Sequence, residues 1–205
     1  MAGQFKEYCK HGDLKGVRDC LIGLQRHMLS HGYTQAIKRA KFTGLLMAVK
    51  GGHTEVVRLL LHDDNFNPNK PCWRRGDADV PQITDLRETP LHQAAIREDT
   101  ACLQILLSCE RIKPNVKNRE GQTPLMEAIR RGRQSAVEML LNDSRVFPNS
   151  NTTSSSKGEI KDLEGKTALA WAVESNQRAC IELLLPRSDL QTRDYHKRSA
   201  MEVAR

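Results

Sequence analysis

The sequence predicts an all-α repeat solenoid, in which short pairs of helices stack edge to edge and each pair buries its apolar face only against its neighbours. Two observations lead to that class. One pattern, an opening Thr, a small-residue helix, a polar break and a Leu-rich second helix, recurs four times along the chain. Aromatic residues make up only 4% of the 205, so a core of this size is filled by Leu, Ala, Val and Ile in thin layers rather than by large aromatic anchors. A charged fraction of 28% and a hydrophobic fraction of 39% are ordinary for a folded chain. No apolar run approaches the ~18 residues of a membrane span, and the N-terminus lacks the apolar stretch of a signal peptide. A cytoplasmic or nuclear setting is expected.

The elements follow in chain order. Residues 3–21 read as a degenerate first repeat, of which Lys10-His11-Gly12-Asp13-Leu14-Lys15-Gly16-Val17 is the legible part. In residues 22–41, Leu24, Met28, Leu29, Ala36, Ile37 and Ala40 keep helical spacing, which predicts extra helix rather than linker. Thr43-Gly44-Leu45-Leu46-Met47-Ala48-Val49 then opens a repeat over 43–61, closed by Val56-Val57-Arg58-Leu59-Leu60-Leu61. Thr89-Pro90-Leu91-His92-Gln93-Ala94-Ala95 opens one over 89–107, Thr123-Pro124-Leu125-Met126-Glu127-Ala128-Ile129 one over 123–141, and Thr167-Ala168-Leu169-Ala170-Trp171-Ala172-Val173 one over 167–185. Ser199-Ala200-Met201-Glu202-Val203 begins a partial unit over 199–205. In each, the Thr or Ser is expected to cap the first helix, and Pro fits its first turn, where its missing N–H costs nothing.

These units resemble ankyrin repeats. Thr89-Pro90-Leu91-His92-Gln93-Ala94 matches the signature T-P-L-H-x-A without a mismatch, and Gly52-His53-Thr54-Glu55-Val56-Val57 matches the turn and second helix. The resemblance covers nearly the whole chain and implies one ankyrin-repeat domain over 1–205, helix-turn-helix units with β-turn or hairpin loops between them. It also implies a structural, hydrogen-bonding role for His53 and His92. Measured from the capping residues the units start at 43, 89, 123, 167 and 199, so two intervals are near the usual ~33 residues and two are ten or more too long. Insertions are therefore expected after the second and fourth repeats, over 63–88 and 142–166. The second contains the polar run Asn151-Thr152-Thr153-Ser154-Ser155-Ser156, whose hydroxyls are candidates for phosphorylation. A last unit that stopped at Arg205 would leave the apolar faces of Ile181, Leu184 and Met201 thinly covered, so the chain is expected to continue in a longer protein.

Chemistry-bearing residues are mostly absorbed by the repeat pattern. Cys9, Cys20, Cys102 and Cys180 fall at apolar positions, and no C-x-x-C pair is present. Cys72 lies in the first insertion beside Trp73, Arg74 and Arg75, which are candidates for extending a contact surface. His27 and His31 are four apart, as two metal ligands on one helix face would be, but no third ligand stands at suitable spacing, and no metal or cofactor is expected. Asn142-Asp143-Ser144 and Asn151-Thr152-Thr153 satisfy the glycosylation pattern, here read as coincidences of polar loops. Nucleophile elbows, phosphate loops and dinucleotide fingerprints are absent from the sequence, so no catalytic residue is assigned.

What remains is a binding surface. The resemblance implies docking on the concave face, formed by turn tips and exposed first-helix residues. By position these are Met47, Lys50, Gln93, Arg97, Arg119, Glu120, Gln122, Glu127, Arg130, Arg131, Lys166, Trp171 and Glu174. The basic members form a stripe that suits an acidic protein segment or helix, bound by a non-catalytic scaffold that is itself monomeric. A second reading uses the charge distribution: residues 1–60 hold ten Lys/Arg against four Asp/Glu, nearly all of the net +7. Lys6, Lys10, Lys15, Arg18, Arg26, Lys38, Arg39 and Lys41 would then bind nucleic acid or another anionic ligand, against which stands the scarcity of stacking aromatics. A third reading makes the segment the recruiting or regulatory part of a larger enzyme.

Overall fold

The computed structural model describes residues 2–31, 35–63, 66–69, 88–148, 162–188, 190, 193–194 and 196–203. Among them the regular structure is helical, with one isolated bridge between Arg193 and Ser199. The helices are α1 (Ala2–His11), α2 (Leu14–His31), α3 (Gln35–Gly51), α4 (Thr54–Leu61), α5 (Pro90–Ala95), α6 (Ala101–Leu107), α7 (Pro124–Arg130), α8 (Gln134–Asn142), α9 (Ala168–Glu174), α10 (Arg178–Leu184) and α11 (Ala200–Val203), with a 3₁₀ turn at Leu185–Arg187. The chain divides into two compact units, one of residues 1–94 and 101–112, the other of 95–100 and 113–205.

In the first unit α3 packs on α1 and α4, and α4 on α6. Gly44 lets α1 and α3 approach closely: a Cβ there would stand 2.7 Å from Phe5 and 2.9 Å from Cys9 Sγ. Burial pushes the Cys9 thiol up to about 12, with the nearby Cys20 adding to the effect, so Cys9 is a buried apolar filler rather than a nucleophile. Phe5, Phe42 and Phe66 are among the largest fully buried side chains. The expectation of a core without aromatic anchors is thus corrected here, whereas the buried apolar residues described in the second unit include no aromatic.

Thr43 is not a helix cap. It lies in the middle of α3 and is 7% exposed. The residues before it, Gln35 to Phe42, carry no breaker and are mostly good helix formers, and Gly44 rather than Pro follows, so nothing stops the helix from running through. The stretch expected to hold extra helix lengthens α2 to His31 and starts α3 at Gln35. The turn between α3 and α4 bends at Gly52, whose φ is 78°, and His53 Nε2 pairs with the Lys10 carbonyl oxygen at 2.8 Å. Beyond α4, the Arg111 guanidinium donates to the carbonyl oxygens of Leu61, of Asp63 at 3.0 Å and of Phe66 at 2.8 Å. Asn69 Nδ2 donates to the Arg111 carbonyl at 2.7 Å. The start of the first expected insertion is thereby braced, while Cys72, Trp73, Arg74 and Arg75 lie outside the described residues.

In the second unit α7 packs on α8 and α9, and α9 on α10 and α11. Thr123 and Thr167 do cap their helices, each Oγ1 accepting from a backbone N–H three residues on at 3.3 Å. The inter-helix turns are built alike: Gly132 and Asn176 take φ of 64° and 52°, and Arg133 N and Gln177 N each donate at 2.9 Å, to Ala128 O and Ala172 O respectively. Leu184 is fully buried, which corrects the expectation of a thinly covered last layer at that residue; Ile181 is half-buried and the Met201 side chain lies outside the described residues. The Ser/Thr run 151–156 also lies outside them.

Candidate protein-interaction surface

The tips of the second unit are three copies of one turn. Each begins with an Asn or Asp five residues before a capping Thr or Ser: Asn118, Asp162 and Asp194. Asn118 Oδ1 accepts from Glu120 N and Gln122 N, both at 2.9 Å. Asp162 Oδ1 accepts from Glu164 N at 2.9 Å and Lys166 N at 2.8 Å, and Asp194 Oδ1 from Arg198 N at 2.9 Å. These short acceptor side chains replace a backbone partner within the turn. The fourth residue of each turn has a left-handed backbone, Gly121 at φ 76°, Gly165 at 78° and Lys197 at 62°. Neighbouring tips are joined by Leu163 N, which donates to Glu120 O at 3.0 Å. With the backbone groups paired internally, Arg119, Glu120, Leu163, Glu164, His196 and Lys197 are left with exposed side chains.

Further contacts link residues ahead of Thr89, Thr123 and Thr167 to the helix that follows. The residue before the capping Thr and the one four after it come together: Gln93 Nε2 donates to Glu88, and Lys166 Nζ stands 4.7 Å from the centroid of the Trp171 ring. The turn's first residue reaches the same helix position. Asn118 Nδ2 donates to Glu127 Oε1 at 3.3 Å, and Trp171 Nε1 donates to Asp162 Oδ2 at 2.8 Å. Glu127 is 2% exposed and also accepts from Arg130 at 2.9 and 3.1 Å. Lys166 Nζ lies 2.7 Å from Glu164 Oε2 and 2.7 Å from Glu174 Oε2. Burial works against the Lys166 ammonium, but the hydrogen bonds and charges of the two carboxylates outweigh it and hold its pKa above the ordinary value. The Lys166 hydrogen bond and charge, with His196 and Arg198 further off, hold Glu164 below the usual carboxylate range.

The structure sorts the thirteen residues expected on the concave face. Met47, Gln93, Gln122, Glu127 and Lys166 are buried, a correction to their reading as surface. For the four polar residues the reason is common: positions around the capping residue pack into the tip and neighbouring layer, and their polar groups are consumed there, whereas Met47 is an apolar residue of the uninterrupted α3 core. Lys50, Arg119, Glu120, Arg131 and Glu174 are exposed, and Arg97, Arg130 and Trp171 are half-buried. Sequence reasoning passed over the turn at 194–198, although Asp194 stands at the same distance from Ser199 as Asn118 from Thr123. The basic N-terminal set also changes: Lys41 is 2% exposed and paired with Asp63, and so is no surface cation, while the Arg26 side chain lies outside the described residues. Among the described residues no three His, Cys, Asp or Glu cluster as metal ligands would, and no helix is long and apolar enough to cross a membrane.

The comparisons agree with the geometry. A family model of the ankyrin repeat matches residues 41–73, and a model of three consecutive ankyrin repeats matches residues 72–152, so that together they run over more than half of the 205 residues. Among curated proteins, alpha-latrotoxin-Lh1a of Latrodectus hasselti is 28% identical over 126 residues, which is 62% of this chain. The chain spans only 8% of that relative's length.

Proposed function

Since the chain belongs to the ankyrin-repeat family, whose repeats generally mediate protein–protein interaction and are typically non-catalytic, we propose that it is a non-catalytic interaction module. It takes a protein segment along the tips and first helices of the fourth and fifth repeats, acidic where it crosses the basic residues of the fourth. The observation that carries this reading is the pair of identically braced tips, 118–122 and 162–166, joined by the Leu163 N–H to Glu120 carbonyl bond. A backbone already paired internally loses little freedom on binding, which lowers the cost of association. Arg119 and Arg131 are exposed and basic on the fourth repeat and suit a carboxylate-bearing partner.

The test is affinity capture from cell extract with the wild-type chain and with Arg119→Glu/Arg131→Glu, the bound proteins being identified by mass spectrometry. Both positions are exposed, so the fold survives the change. Arg130→Glu is unsuitable because it would leave buried Glu127 facing a like charge. Loss of an acidic partner in the variant supports the reading; an unchanged set of captured proteins counts against it.

A further inference from the structure

The fifth repeat has a different electrical character from the fourth. Between Asp162 and Glu174 there are three carboxylates, Asp162, Glu164 and Glu174, against the single ammonium of Lys166. That ammonium is 2.7 Å from both Glu164 and Glu174 and, at 7% residue exposure, is withdrawn from the surface. The two glutamate side chains remain 62% and 41% exposed. Nearby cations described in the same unit are largely engaged: Arg130 with Glu127, Arg198 with the buried Asp194, and Arg193 with Glu202. Lys197 and Arg198 are both exposed in the adjoining tip, Arg198 with its guanidinium on Asp194.

Two large apolar side chains belong to the same tip and the helix after it. Leu163 projects from the tip at 68% exposure. Trp171 is half-buried, its indole N–H held by Asp162 Oδ2 at 2.8 Å and its ring faced by Lys166 Nζ at 4.7 Å. An aromatic fixed in this way forfeits little rotamer freedom when a partner covers it, the property of an anchor position.

We infer that Leu163 and Trp171, rimmed by Glu164 and Glu174, form a subsite for an apolar side chain followed by a lysine or arginine in an extended peptide of the partner protein. The inference rests on the interaction-module reading and refines it. The partner segment is then bipolar, its acidic part over Arg119 and Arg131 and its apolar-basic part over the fifth repeat.

The test is an array of nine-residue synthetic peptides with a central Phe, flanked by Lys/Arg, by Asp/Glu or by Ser, probed at low ionic strength with the fluorescently labelled chain. Leu163→Ser, Glu174→Lys and Arg119→Glu/Arg131→Glu are run in parallel, with circular dichroism melting as the folding control. The wild type should favour basic-flanked over acidic-flanked peptides by about tenfold. Leu163→Ser should weaken binding of these peptides, and Glu174→Lys should reverse the preference. Equal or stronger binding of acidic-flanked peptides, or a preference unmoved by Glu174→Lys, overturns the subsite. If acidic-flanked peptides bind and are lost only in Arg119→Glu/Arg131→Glu, the module reading stands and this refinement falls. Absence of binding to every class overturns the refinement and leaves the capture experiment to judge the module.

Discussion

The indole nitrogen of Trp171 donates to Asp162 Oδ2 at 2.8 Å, in the place where the fourth repeat has Asn118 Nδ2 donating to Glu127 at 3.3 Å. Donor and acceptor have exchanged sides of one conserved geometry between tip and helix. Asp162→Asn alone keeps the acceptor for the turn N–H groups but sets an amide N–H against the indole N–H. It should cost about 1–3 kcal/mol in chemical denaturation. Adding Trp171→Glu recreates the Asn118–Glu127 pair and should recover most of that loss, a coupling that a double-mutant cycle reads directly. Additive losses would refute the equivalence.

Lys197 holds a left-handed backbone, φ 62°, at the turn position filled by glycine in the two tips before it. Lys197→Gly should therefore be neutral or stabilise by up to about 1 kcal/mol, although glycine usually weakens a fold. Gly121→Ala is the opposite case. Its φ is 76°, and a Cβ there would meet Leu163 N at 2.8 Å, so a loss above about 1 kcal/mol is expected. Thermal unfolding of the two variants distinguishes them by sign.

Arg111 satisfies three carbonyl oxygens at and beyond the end of α4 with one guanidinium. Arg111→Ala leaves them without that donor and should destabilise the first unit by about 2–3 kcal/mol. Lysine, with a point charge instead of a planar fork, should restore less than half. Urea unfolding followed by circular dichroism gives both figures, and full rescue by lysine would show that charge alone suffices.

Acid should weaken the second unit through named groups. Hydrogen bonds from Arg145 hold Asp143 below the usual carboxylate range. Burial opposes the shift at Asp194, but hydrogen bonds from the backbone and guanidinium of Arg198 prevail and lower its pKa too. For a lowered carboxylate the contribution to stability is present above the ordinary value near 4 and is lost as pH falls through the folded value. The urea midpoint should be steady from pH 7 to about 5 and fall below about 4. Asp194→Asn, uncharged throughout, should reduce stability at neutral pH and flatten the acid limb; an unchanged slope would exclude Asp194 as a contributor. Lys166 behaves with the opposite sign, its contribution being lost only in alkali.

The repeat layout was legible because each helix pair repeats one set of small and Leu-rich positions, and Thr123 and Thr167 do what their sequence context says. Thr43 misled, since a capping residue acts only where the preceding chain stops being helical, and the residues from Gln35 onward do not stop. The same one-dimensional limit affected the binding face. A residue type says whether a side chain can carry charge, not whether a neighbour has taken it. Lys166 and Glu127 look like surface charges until the partners Glu164, Glu174, Asn118 and Arg130 are in place. The signal for the tips was in the sequence all along, as an Asn or Asp five residues ahead of Thr123, Thr167 and Ser199.

Helix α3 runs unbroken past Thr43, and this alters where the chain tolerates being opened. A loop grafted between Leu163 and Glu164 enters a turn where both side chains are exposed. The same graft between Arg39 and Ala40, the corresponding place counted back from Thr43, would sever a continuous helical ladder a turn before Gly44 brings that helix against Phe5 and Cys9. Equivalent places in the repeat count are thus not equivalent seams: evolution or an engineer can lengthen the chain at the later tips, while the earliest register mark lies in its least divisible element.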